Sequence, residues 1–139
     1  MPAEGGDATR ITHSGGAGMS YESPDGKTLY YGHDIAERGI WKVPVQGGEA
    51  VQVTGPLSQQ YSGFAVTAKG IYYTAAPHSR NQSFIRFFSF STGQSRPVAV
   101  VNRPVDLGLS VSPDHRFLLF AQLDQSGSDL MLIENFLVR

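Results

Sequence analysis

The sequence predicts an all-β fold made of repeated four-stranded antiparallel units, and three observations carry that prediction. Sixteen Gly and eight Pro punctuate 139 residues that also hold eight Phe and six Tyr, while no stretch spaces Ala, Leu, Glu and Lys at helical intervals. Residues 28–32, 40–45 and 50–54 alternate in the period-two manner of half-buried strands. Similar segments return about every 45 residues, a spacing that belongs to repeat architectures.

Each element follows in order. Pro2-Ala3-Glu4-Gly5-Gly6-Asp7-Ala8-Thr9-Arg10-Ile11-Thr12 matches Pro44-Val45-Gln46-Gly47-Gly48-Glu49-Ala50-Val51-Gln52-Val53-Thr54, so residues 7–13 are expected to form an outer strand with no unit of its own. Residues 19–22 form a first inner strand. Ser23-Pro24-Asp25-Gly26 is a tight turn, with Pro supplying φ near −65° and Gly tolerating a conformation that side chains resist. Residues 28–32, then Ile40-Trp41-Lys42-Val43-Pro44-Val45, a Gly47-Gly48 turn and residues 50–54 complete the unit. The second unit repeats it: residues 63–66, a shortened turn at Ala68-Lys69-Gly70, Ile71-Tyr72-Tyr73, Ile85-Arg86-Phe87-Phe88 and a turn at Gly93. The third holds residues 108–111, Ser112-Pro113-Asp114 at 89 positions from Ser23-Pro24-Asp25, and Leu130-Met131-Leu132-Ile133.

Four strands per 40–50 residues describe a β-propeller blade. The expected blades are 14–54, 55–102 and 103–139, the last completed by the outer strand 7–13. Three blades are too few to close a ring, since propellers have about four to eight. Two chains exchanging Ala8, Thr9, Arg10, Ile11 and Thr12 against the strand of Leu130, Leu132 and Ile133 would make a six-bladed ring, the two-fold symmetry rendering both junctions equivalent. A segment of a longer propeller and a β-sandwich with coincidental spacing are the alternatives.

SPDGKTLYY followed by IWKVPVQGGEAVQVT resembles the repeat of the TolB-type, or WD-repeat-like, six-bladed propeller. The resemblance covers nearly the whole chain and is specific for fold rather than activity. It implies the C-terminal half of a bacterial sensor or regulator, of the kind carrying a winged-helix or protein kinase domain, in cytoplasm or periplasm. The second unit departs from the pattern, with Ala68-Lys69-Gly70 for the Ser-Pro-Asp-Gly turn and Arg86 where Trp41 stands.

Composition narrows the function classes. A net charge of −1, with scattered Lys and Arg, provides no basic face for nucleic acid or an anionic membrane. No run of about 18 apolar residues is present. The absence of Cys removes disulfides, thiolate metal sites and a Cys nucleophile together.

Ligands of propellers meet the end built from the second-to-third-strand loops and the blade-to-blade connections. Here these carry His33, Asp34, Arg38, Tyr61, His78, Arg80, Arg103, Asp106 and Asp124, and loops on a rigid scaffold are where function concentrates. Solvated polar loops are the competing reading. His33 and Asp34 are adjacent on a strand end and point apart, so no metal is expected there, although Asp34 and Asp124 are two units apart and equivalent. Asp25 and Asp114 are read as turn formers. Ser112, Asp114 and His115 have the residue types of a hydrolase triad but occupy one turn, without a Gly-x-Ser-x-Gly elbow. Trp41, Phe87 and Phe88 are read as packing between units. The expected function is a non-enzymatic scaffold for a protein, peptide or ligand partner, self-assembling as a homodimer and needing no cofactor. A metal-dependent, lactonase-like hydrolase using His33, Asp34 and Asp124, and an excised or engineered fragment without function of its own, are the alternatives.

Overall fold

The computed structural model describes residues 4–13, 17–33, 38–55, 57, 63–75 and 82–122. Among them there is no helix, and every strand pairing is antiparallel. The first sheet holds β1 (Ala17–Glu22), β2 (Thr28–His33), β3 (Gly39–Pro44) and β4 (Val51–Gln52) in chain order. The second holds β5 (Phe64–Val66), β6 (Gly70–Ala75), β7 (Ser83–Ser89) and β8 (Ser95–Val101), also in chain order. β9 (Val105–Val111) and β10 (Leu118–Gln122) pair as a third sheet.

The registers repeat as the sequence does. Tyr30 lies opposite Lys42 and Tyr31 opposite Trp41; in the second sheet Tyr72 lies opposite Phe87 and Tyr73 opposite Arg86. Arg86 therefore does stand where Trp41 does. Several strands differ in length from expectation, β4 and β9 most of all. β4 covers only two of the five residues 50–54, because Val53 N and Thr54 N both donate to Ile40 O, at 2.8 and 3.3 Å. The buried Thr54 Oγ accepts from Ile40 N at 3.2 Å, so the chain bends there. β9 starts at Val105, where Val105 N donates to Ser83 Oγ at 2.8 Å. Residues 5–13 carry no strand pairing among the described residues; Ala8, Thr9 and Arg10 are exposed, and Ile11 and Thr12 half-buried. Leu130, Leu132 and Ile133 lie outside the described residues.

The two Ser-Pro-Asp turns are the same device. Ser23 Oγ donates to Asp25 Oδ1 at 2.5 Å and accepts from Thr28 N at 3.0 Å, while Lys27 N donates to Asp25 Oδ1 at 3.2 Å. Ser112 Oγ donates to Asp114 Oδ1 at 2.5 Å and accepts from Phe117 N at 3.0 Å, with Arg116 N on Asp114 Oδ1 at 3.1 Å. The backbone turns left-handed at Gly26 (φ 69°) and, at the equivalent place, at His115 (φ 59°), a conformation for which glycine is better suited. In the second unit Thr67 Oγ does the work of the serine, accepting from Lys69 N and Gly70 N and donating to Gly70 O. One hydroxyl serves a loop of only two residues.

These turns make a testable titration. The hydroxyl of Ser23, then Lys27 N, hold the Asp25 carboxyl below the usual carboxylate value, and Ser112, then Arg116 N, do the same for Asp114. A lowered folded pKa contributes stability that is full above the unfolded value near 3.8 and disappears as pH falls through the folded value. A carboxyl NMR titration is expected to place both aspartates below that value, and Ser23→Ala or Ser112→Ala to raise only its own turn's aspartate.

The sheets stack so that opposite faces of successive sheets meet. Tyr30 and Ile40, on one face of the first sheet, share a core cluster with Phe64, Ile71 and Tyr73 of the second and with Leu57. Tyr30 stacks on Phe90 at 5.6 Å, and Tyr21 meets Phe64 edge-on at 4.9 Å. Phe64, Ile71 and Tyr73 project from one face of the second sheet, as the register requires. Its other face buries Ala65, Thr74, Ser83, Ile85 and Phe87 and meets the third sheet, where Ser83 Oγ holds Val105 N and Gly63 lies against Leu109 N. Burial on both faces accounts for the near-continuous apolar lettering of β6 and β7, GIYYTA and SFIRFFS. Burying each large side chain of these layers contributes about 1.5–3 kcal/mol.

Candidate functional site

In such a meander the β1–β2 and β3–β4 turns fall at one end of the sheet, and the β2–β3 and sheet-to-sheet connections at the other. The expected site residues belong to the second end. His33 closes β2, its ring 5.7 Å from that of Trp41. Arg38 is exposed just before β3. Arg103 is exposed in the turn after β8, and Asp106 lies in β9. The connections bearing His33 and Arg38, and Arg103 and Asp106, thus share one end of the topology. Asp34, Tyr61, His78, Arg80 and Asp124 lie outside the described residues. Among the described residues no three His, Asp or Glu gather as a metal centre would require. Ser112, Asp114 and His115 form the turn described above, with Ser112 Oγ committed to the carboxylate and to Phe117 N.

A concave surface occurs at the opposite, turn-bearing end, where sequence reasoning placed only turn formers. A cleft of about 680 Å³ opens there between the second and third sheets, lined by Ala68, Lys69, Tyr72, Phe87, Ser89, Phe90, Ser91, Arg96 and His115. Lys69 comes from the Thr67 turn. Ser89, Phe90 and Ser91 continue β7 into its turn, held by Phe90 N on Lys69 O at 3.1 Å. Tyr72 and Phe87 sit opposite each other in the ladder, ring centroids 4.6 Å apart. Arg96, from β8, places its guanidinium 5.3 Å from the Phe87 centroid, within cation–π range. His115 approaches from the third sheet's turn.

Two features of the sequence belong to this cleft. Phe90 is an aromatic residue just past a strand end, and His115 is a large side chain where the sister turn has Gly26. Neither is informative until the sheets are stacked, because the cleft walls come from separate strands and turns of two sheets. No protein-family model matches the chain, and no curated protein matches it.

Proposed function

We propose that the chain is a non-enzymatic scaffold of the β-propeller type, with two copies completing a six-sheet ring and the loop-bearing end receiving a protein or peptide partner. The observation that carries this reading is the stacking of successive sheets through opposite faces. Such stacking propagates in one direction, as blades do around an axis, whereas a two-sheet sandwich joins one inner face to another and stops. Leu119, 75% exposed, lies on β10 of the third sheet, and Phe117, 65% exposed, just before it. Leu119 is equivalent to Tyr30, which in the first sheet is buried against its successor. A further sheet placed there would cover the exposed pair. Residues 5–13, unpaired among the described residues, are available for the exchange of Ala8 to Thr12 expected from the sequence.

Light scattering on a sizing column tests the assembly. The expected mass is twice that of the chain. Ile11→Asp, which would bury an unpaired charge in the exchanged strand, is expected to weaken the dimer by about 100-fold, equivalent to about 2.7 kcal/mol. A monomeric wild type at all concentrations, or a dimer indifferent to Ile11→Asp, would refute strand exchange.

A further inference from the structure

We infer that the cleft between the second and third sheets is a binding site for a small aromatic anion, a ring carrying a carboxylate or phosphate group. The inference does not rest on ring assembly, since every lining residue belongs to one chain and to the turn-bearing end. The volume of about 680 Å³ falls in the range of small-molecule sites, roughly 300–1,000 Å³. Its chemistry is one-sided. Lys69 and Arg96 are cations, His115 adds an imidazole, Ser89 and Ser91 add hydroxyls, and no carboxylate lines the cleft. Asp114, next to His115 in sequence, is held in its own turn by Ser112 and Arg116 N. Such a surface favours an anion over a cation or a neutral sugar, and the guanidinium fork suits a carboxylate or phosphate.

The apolar part of the lining specifies the rest of the ligand. Tyr72 and Phe90 bring partly exposed rings to the same place, with the buried Phe87 behind Tyr72, and aromatic pairs favour offset or tilted contacts with a further ring. Arg96 already covers the Phe87 ring, so an anion paired with its guanidinium would lie beside a ligand ring placed against Tyr72 or Phe90. The chain as a whole carries −1. That balance favours a ligand with one charged group on one ring over a long polyanion.

The test uses the full chain, titrated by NMR with phenyl phosphate and benzoate, alongside phenol and inorganic phosphate as the separate halves. At least one aromatic anion is expected to saturate the protein with at least about tenfold higher affinity than phenol and inorganic phosphate, shifting resonances of Tyr72, Phe90 and His115. Arg96→Gln and Lys69→Gln, both exposed, are each expected to weaken that binding about fivefold, loss of a charge-assisted contact discounted for solvent screening, with unchanged melting temperature. Phenol binding as tightly would reduce the cleft to an apolar groove. Inorganic phosphate binding as tightly would reduce it to a simple anion site. Either result, like an absence of saturable binding or indifference to both substitutions, overturns the proposal.

Discussion

Phe64→Ala is expected to lower unfolding stability by about 3–5 kcal/mol, the usual cost of removing a buried aromatic side chain. Phe64 is 1% exposed and stands where the first two sheets meet. Its ring takes the edge-on contact with Tyr21, and it belongs to the cluster with Tyr30, Ile40, Leu57, Ile71 and Tyr73. Truncation leaves a cavity between two sheets whose backbones are each held by ladder hydrogen bonds, so neither collapses easily into the space. A domain of ordinary stability holds about 5–15 kcal/mol, and the loss is a large share of that. Urea unfolding measures it as a fall in midpoint with little change in slope. Phe64→Leu, which keeps most of the volume, is expected to cost less than about 1.5 kcal/mol. Equal effects from Ala and Leu would mean that the cluster is not packed as described.

Gly70→Ala is expected to cost about 3 kcal/mol or more although it adds one methyl group, at the upper end of overpacking effects. A Cβ on Gly70 would fall 2.0 Å from Phe88 O and 2.6 Å from the Phe87 ring. The first of these neighbours is backbone, paired across β6 and β7, and cannot rotate away. Thr67 Oγ further fixes Gly70 by bonding both its N and its O. Gly26→Ala provides the contrast. Nothing lies within 4 Å of a Cβ there, and the cost is that of the left-handed conformation at φ 69°, about 1 kcal/mol. Thermal or urea unfolding of the two variants separates steric exclusion from backbone strain, and a Gly70→Ala protein as stable as Gly26→Ala would contradict the close approach of β6 to β7.

Much of the fold was legible because strand structure is locally coded. The turns at Ser23-Pro24-Asp25 and Ser112-Pro113-Asp114 are built from residues within five positions of one another, and their equivalence survives intact in the hydrogen bonds. The pairing of Ile40-Trp41-Lys42-Val43 with Ile85-Arg86-Phe87-Phe88 as equivalent strands was visible in lettering and returned in register. The shortening of β4 was not visible, because the competing acceptor, Ile40 O, lies 13 residues from Val53. The candidate ligand residues were less legible still. His33, Arg38, Arg103 and Asp106 follow from the rule that loops carry function, and their connections do share one end, yet the described cleft opens at the other end.

The sequence by itself determined the all-β class, the repeat of the first two sheets and the turn chemistry, since these depend on period-two patterning and on side chains reaching their own backbone. Only the tertiary structure decided which faces are covered, that the second sheet is buried on both, and that Lys69, Arg96 and His115 converge with Tyr72, Phe87 and Phe90. The reason is geometric. A strand's pattern says which residues share a face, but it does not say what that face meets, and a cleft exists only once two sheets from distant segments have been laid side by side.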